Sequence, residues 1–269
     1  EASTNKGYML LDNNDILSSE GISCYLDKKM DIYAYKTIDS TNTQMKKFAV
    51  DNHVDYALIV AEHQSAGRGR FNRVFYSPEK QGIYMSLLLR YNQTFNDATL
   101  ITIQSAVAIK RVIKKLCGID TKIKWVNDLY YQGKKICGIL TEAISDFESG
   151  MIEAIIIGIG INVSTKQFPE ELLDKATSLG IENINRSKFI ALIVNEILKI
   201  IDEDFDNVLN EYKDASCVLN KKVEFRYKGQ IYNGIAKDIN SLGNLIVKCD
   251  NQEYTLNSGE VSIIQKNYE

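Results

Sequence analysis

The stretch QSAGRGRFNRVFYSP, residues 64–78, gathers Arg68, Arg70 and Arg73 around Gly67 and Gly69 in a segment too polar for a core and too irregular for a helix. Arg68 and Arg70 present planar guanidinium forks matched to phosphate or carboxylate, and Gly69 between them lets the backbone approach what they hold. That is the pattern of an anion-binding loop. A solvated surface loop can carry the same dipeptides; the apolar strands on either side, and the run into Phe75 and Tyr76, favour the first reading. Gln64 adds an amide at the start of the loop.

A second polar cluster interrupts KWVNDLYYQGKKICGIL, residues 124–140, where Asn127 and Asp128 stand between apolar neighbours. A carboxylate at a strand end can orient or deprotonate a nucleophile, and it can equally cap a turn. Lys134 is expected to reach solvent, whereas Lys135, next to the apolar ICGIL, is expected to aim its ammonium into a pocket. GIGINV, residues 158–163, ends a buried strand on Asn162, whose amide needs a ligand or a structural partner. Gly158 and Gly160 leave room for a backbone or ligand to come close. In DSTN, residues 39–42, the side chains of Ser40, Thr41 and Asn42 collect at a strand-to-helix turn as capping residues. Trp125 reads as core.

The elements that must position these groups follow from periodicity. DIYAYKTI (31–38) alternates as a half-buried strand, and 56–63 and 83–90 are continuous apolar strands. Residues 99–117 repeat at helical spacing with lysines near the end, where cations suit the helix dipole. Residues 121–144 read as a strand, the polar corner, and a hairpin turning at Gln132-Gly133 into another strand, with a central strand over 150–163. From Ser187 to Tyr212 the pattern is one amphipathic helix or two. Beyond Cys217 the period becomes two, with breaks at Gly229-Gln230 and Gly243-Asn244, which predicts a small all-strand barrel and a boundary near Ala215.

Bulk properties narrow the classes. The chain has 269 residues, 45% hydrophobic and 25% charged with 2 prolines, enough for a large domain and a small one. No apolar run reaches the roughly 18 residues of a membrane-spanning helix. EASTNKGYML lacks the basic start and apolar centre of a secretory signal, so a cytoplasmic location is expected. Cys24, Cys117, Cys137, Cys217 and Cys249 are scattered without a C-x-x-C pair, which predicts reduced thiols. With only His53 and His63 available, no metal site is expected. A formal net charge of -3 argues against a general electrostatic grip on nucleic acid or membrane.

Taken in order, DSTN, AEHQSAGRGR (61–70), KWVNDLYYQGKKICGIL and GIGINV resemble the biotin protein ligases. The resemblance runs over about residues 30 to 265 and implies an α+β fold: a mixed sheet with helices on one face, like the core of class II synthetases, followed by an SH3-like barrel. It implies residues 28–215 as the ligase domain, 216–269 as the C-terminal domain, and 1–27 as a linker. In that linker EASTNKGYMLL is similar to the last strand of a winged helix-turn-helix wing, the DNA-reading part of the bifunctional repressor members. The activity implied is ATP- and magnesium-dependent formation of biotinyl-5'-AMP, then transfer of biotin to a lysine of a biotin carboxyl carrier protein. A homodimer is implied when the adenylate is bound.

By the same resemblance Ser40, Thr41, Asn42, Gln64, Arg68, Gly69, Arg70, Lys135, Gly138, Ile139 and Leu140 belong to the biotin site, with Gly138, Ile139 and Leu140 as its apolar floor. Phe75, with Tyr76 as the alternative, would cover the adenine, with Asn127 and Asn162 near the nucleotide. Lys135, Arg68 and Arg70 would neutralise the reacting anions, and Asp128 would orient the acceptor amine. Three positions depart from the family pattern: Val126 for proline, Asn72 for glycine and Phe75 for tryptophan. In the ending NSGEVSI the basic residue expected soon after has only Lys266 nearby. Two alternatives share part of the pattern: a lipoate ligase or acyltransferase of related fold, and a sensor that holds the adenylate to control dimerisation and DNA binding.

Overall fold

Apolar runs such as GIYMSLLL and IEAIIIGIGIN have no polar face, so strands made of them need cover on both sides. The computed structural model, which describes residues 2–3, 7–8, 15–90, 98–145, 152–250 and 252–264, supplies that cover. A short antiparallel pair, β1 (Ala2–Ser3) and β2 (Gly7–Tyr8), precedes α1 (Ser19–Ser23). The wing-and-linker expectation for 1–27 falls partly on residues outside those described, as does Lys266.

Next come β3 (Asp31–Ile38), α2 (Thr41–Asp51), β4 (Tyr56–Gln64), β5 (Gly82–Leu89), α3 (Ala98–Cys117), β6 (Lys122–Lys124), β7 (Asp128–Tyr131), β8 (Lys134–Ser145) and β9 (Ile152–Asn162). Their seven strands form one sheet in the order β3-β4-β5-β9-β8-β7-β6, with β3 and β4 parallel and the other pairs antiparallel. Two helices follow, α4 (Arg186–Ile200) and α5 (Phe205–Ala215); the chain breaks between them where Asp204 caps α5. The C-terminal strands β10 (Lys222–Tyr227), β11 (Gln230–Ile239), β12 (Leu245–Cys249), β13 (Gln252–Leu256) and β14 (Val261–Ile263) make an antiparallel sheet in the order β13-β12-β11-β10-β14. Its turns fall at Gly229 and Gly243, both with positive φ.

The implied placement of helices on one face needs correction. The main core joins Met85 and Leu87 of β5 and Ile157 of β9 to α3 and α4. A second cluster, Met45 and Ala49 of α2 with Ile59, Leu88 and Ile156, covers the opposite face. The cause is the two-sided apolar character of the central strands, which one helical layer cannot bury. The strand at 31–38 also differs from expectation: as the sheet edge it is mostly exposed rather than alternately buried.

One buried cation holds the start of the described chain to the sheet. Arg186, 2% exposed at the start of α4, donates to Asp15 Oδ1 at 2.6 Å, to Glu62 Oε2 at 2.7 Å and to the Gly82 carbonyl at 3.2 Å. Trp125 is core, as read, and its indole N–H donates to the Gly243 carbonyl at 2.9 Å, linking the two sheets. No helix among the described residues is long and apolar enough to cross a membrane.

Candidate active site

The loop after β4 folds back on itself as a small hairpin. Arg68 bridges Val74, the Phe75 N–H donates to the Gly67 carbonyl at 2.9 Å, and a 3-10 turn at Arg70–Asn72 forms the tip. Phe71 and Asn72 lie in the left-handed region at φ 55° and 58°. Asparagine is the residue after glycine that best tolerates this conformation, so the departure at position 72 fits the local backbone. The hairpin overhangs a cleft of about 630 Å³ lined by every site residue expected from the sequence, Tyr76 included.

One end of the cleft is built from neutral polar groups. Ser40 caps α2, accepting from the Thr43 N–H at 3.4 Å. The first helical turn thereby presents Thr41 and Asn42 inward, where both are buried. Gln64 Oε1 accepts from Thr41 N at 2.9 Å and Oγ1 at 3.1 Å, and its Nε2 donates to Ser77 Oγ at 2.9 Å. Asn42 Nδ2 donates to the Leu140 carbonyl at 3.2 Å and to Glu142 Oε2 at 3.0 Å, while its Oδ1 accepts from the Ser86 hydroxyl.

The glycines of β9 explain how the two strands carry these groups. A Cβ on Gly158 would lie 2.1 Å from Asn42 Oδ1, and one on Gly160 would lie 2.5 Å from the Phe75 ring. The space these glycines leave is therefore filled by the chain's own amide and ring. Phe75 completes an edge contact with Tyr84 at 6.4 Å, and Tyr76 pairs with Phe168 at 6.2 Å.

The other end is charged. Lys135 Nζ lies 2.6 Å from Asp128 Oδ1, a close ion pair off the hydrogen-bond axis, since that buried oxygen has no aligned donor. The lysine stem passes over Gly138, where a Cβ would come within 3.0 Å of Lys135 Cε and Nζ. Its backbone is fixed on both sides, donating to the Lys175 carbonyl at 2.9 Å and accepting from the Thr177 N–H at 2.9 Å. Arg70 Nη1 donates to Asn127 Oδ1 at 3.0 Å, and Asn127 Nδ2 in turn donates to the Ile139 carbonyl at 2.9 Å. Burial pushes the Arg70 guanidinium below its ordinary pKa, and the nearby Asp128 and Glu260 carboxylates oppose that shift.

The corner bearing Asn127 contains a cis peptide between Trp125 and Val126. The Tyr212 hydroxyl holds it by donating to the Val126 carbonyl at 3.0 Å. Among the described residues no group of three or more His, Cys, Asp or Glu is placed to hold a metal ion.

Two expectations about individual residues change, those for Ile139 and Lys134. Ile139 lines the cleft, but its side chain is 1% exposed and packed in the main core, so its floor role is limited by the strand's alternation. Lys134 does not simply reach solvent; its ammonium donates to the Leu173 carbonyl at 2.6 Å. Asn162 reaches the cleft, and its Nδ2 has one of the two kinds of partner expected, a structural one, in the Thr177 carbonyl at 3.0 Å.

Sequence reasoning missed Glu142, Ser86 and the pair formed by Arg73 with Glu260. In that pair Arg73 Nη1 and Nη2 donate to Glu260 Oε1 and Oε2 at 2.7 and 2.6 Å, clasping the hairpin to the C-terminal sheet. Hydrogen bonding from Arg73 holds the Glu260 carboxyl below its ordinary value.

Comparison with known proteins agrees with this geometry. Residues 34–162 match the Biotin/lipoate A/B protein ligase family, and residues 218–263 match the Biotin protein ligase C terminal domain. The chain is 39% identical over 184 residues to the bifunctional ligase/repressor BirA of Bacillus subtilis, a match covering 66% of this chain and 56% of that protein. The chain thus spans little more than half the length of that relative. With Escherichia coli BirA the identity is 27% over 266 residues, covering 96% of this chain and 81% of the relative. Among solved structures, the Aquifex aeolicus biotin protein ligase in complex with biotin and ATP superposes with a TM-score of 0.75 at 25% identity, over 88% of this chain and 99% of the other. The hairpin, corner and strand-end residues that close on one cleft lie within the first matched stretch, and the strands that clasp the hairpin lie within the second: the chain belongs to the biotin protein ligase family.

Proposed function

We propose that this chain is an ATP-dependent biotin protein ligase. It activates biotin to biotinyl-5'-AMP, releasing pyrophosphate, and passes the biotinyl group to a lysine of a biotin carboxyl carrier protein. The observation that carries the reading is the division of the cleft: hydroxyls and amides of Ser40, Thr41, Asn42 and Gln64 at one end, Arg70 and Lys135 at the other, and Arg68 beside Glu142, the carboxylate that Asn42 bonds. A neutral ureido ring both donates and accepts, and suits the first end. The reacting carboxylate and triphosphate are both anions and suit the second.

In the first step a carboxylate oxygen attacks the α-phosphorus, an oxygen–phosphorus bond forms, and pyrophosphate leaves with the electron pair. Two anions must meet, so cations fixed beside them lower the barrier most where water is excluded. Lys135 takes that position, a role supported by the pinning of its backbone by Lys175 and Thr177, and Arg70 shares it, its fork bonded to Asn127. Phe75 or Tyr76 covers the adenine, with Asn127 and Asn162 at the nucleotide. Magnesium enters with ATP as a substrate ion carried on the phosphates.

In the second step the acceptor amine attacks the acyl carbon, AMP leaves, and Asp128 takes the amine's proton. The reading extends to a cytoplasmic enzyme that pairs with a second copy when the adenylate is bound. The repressor names of relatives support a DNA-binding role for a longer parent.

The test is to incubate the chain with biotin, ATP and magnesium, with lipoate in parallel, and to look by mass spectrometry for the adenylate before adding a carrier domain. Biotinyl-5'-AMP followed by a biotinylated acceptor is the expected result. Lipoyl adenylate instead would transfer the reading to lipoate. Adenylate that is never transferred would make the chain a sensor.

A further inference from the structure

Glu142 was not among the residues singled out from the sequence, yet it ties Arg68 to the neutral end of the cleft. It stands on β8, two residues past Leu140, with a side chain only 18% exposed. Each of its oxygens is committed: Oε2 accepts from Asn42 Nδ2 at 3.0 Å, and Oε1 accepts from Lys46 Nζ at 2.7 Å. Burial alone pushes this carboxyl up, but the hydrogen bonds from Lys46 and Asn42, together with the Arg68 charge, outweigh burial and hold it below the ordinary value, so it is an anion at neutral pH. The third group facing it is Arg68, whose Nη2 is 3.8 Å from Oε1. That is too long for a hydrogen bond and short enough for an ion pair. Among the described residues it is the ion pair that Arg68 makes.

Resting on the ligase reading above, we propose that Glu142 is a positioning residue for recognition of the substrate acid. It acts through Arg68 as the anion that occupies the guanidinium's surroundings until the biotin carboxylate replaces it. Asn42 and Lys46 fix the Glu142 carboxylate at a distance where it holds Arg68 beside the cleft without engaging its fork. An arginine bound directly and bidentately, as Arg73 is by Glu260, would have to break two charge-assisted hydrogen bonds before taking a substrate. Arg68 at 3.8 Å has no such bond to break, while its charge is still offset in the free protein. The arrangement makes Arg68 and the neutral end of the cleft one unit, because the same carboxylate that sets the Asn42 amide also sets the field at Arg68.

The consequence is specific to charge. Glu142→Gln keeps an acceptor for Asn42 but removes the anion competing with substrate for Arg68. It should raise the affinity for biotin relative to uncharged biotin methyl ester by about threefold to tenfold, a modest factor because Arg68 is partly solvated. Lys46→Met, a change at a half-exposed helix position, leaves Glu142 un-neutralised and should lower the same ratio by about twofold to fivefold.

Titration calorimetry of the full chain with biotin and with the methyl ester reads both, and each shift should vanish in an Arg68→Gln background. Equal changes for acid and ester would overturn the proposal in favour of a structural role, and so would a ratio shift that survives in Arg68→Gln. Wild-type protein that binds neither ligand would instead refute the ligase reading on which the proposal rests.

Discussion

Arg186 meets the sheet at Glu62 and Gly82 and Arg70 meets it at the Asn127 corner, and their partners differ in kind. Arg186 is saturated: two carboxylates and a backbone carbonyl meet its donors, and although burial lowers its pKa, the hydrogen bonds it donates to Glu62 and Asp15 raise it overall. Arg70 has a neutral amide for its hydrogen-bond partner, and burial lowers its pKa. A guanidinium whose donors already meet carboxylates holds a fold together. One that is half-buried, aimed by an amide and near carboxylates that do not hydrogen-bond it retains attraction for an incoming anion. The contrast separates the structural cation from those available for chemistry without reference to any relative.

Substitutions that exchange these roles test the contrast, and the largest effect is expected at Arg186. Arg186→Met should cost about 3–5 kcal/mol, because Glu62 and Asp15 would be left facing one another without a cation, and urea denaturation measures it. A loss below about 1 kcal/mol would mean that the buried cluster does not anchor the chain. Arg70→Ala should do the reverse, leaving stability within about 1 kcal/mol and weakening adenylate retention about tenfold to a hundredfold in a dissociation assay. Asp128→Asn comes next: transfer to the acceptor should slow about tenfold while adenylate synthesis changes about threefold or less. Equal slowing of both steps would give Asp128 a role at the nucleotide.

The smallest effect belongs to the solvent-facing clasp. Arg73→Ala should cost under about 1 kcal/mol. Because Arg73 holds the folded-state pKa of Glu260 below its ordinary value of 4.5, the clasp contributes fully above that value and is lost as pH falls through the lower folded-state value. Thermal melts carried from neutral pH to well below pH 4, past the lowered folded-state value, should therefore converge for wild type and Arg73→Ala at the acid end. A gap that persists there would rule out this linkage.

Much of this was legible in the chain itself because local rules apply to it. Ser40 as a cap, the Gln132-Gly133 turn and the continuous strands at 56–64 and 82–89 depend on near neighbours in sequence, and they fall where expected within a residue or two. The arginine loop, the Asn127-Asp128 corner and the Asn162 strand end were visible as polar interruptions of apolar runs. What was hidden depends on distant contacts. Arg186 looks like one more charge at a helix start, and only the fold brings Asp15 and Glu62 to it. Glu142 sits in TEAI, where a polar residue on a strand is ordinary, and its three basic and amide partners come from two other segments. Helices on both faces were missed because α2 is short and its apolar positions few, although the two-sided apolar strands already required a second layer.

The account turns on cations in this cleft joining two anions, and Lys135 is the most exposed point of that claim. Single-turnover formation of biotinyl-5'-AMP should be compared for wild type and Lys135→Ala under saturating biotin and ATP, with melting curves as the control for folding. A fall in rate of about a hundredfold or more, in a protein that melts like wild type, is the predicted result. An unchanged rate would contradict it and remove charge neutralisation as the basis of the first step.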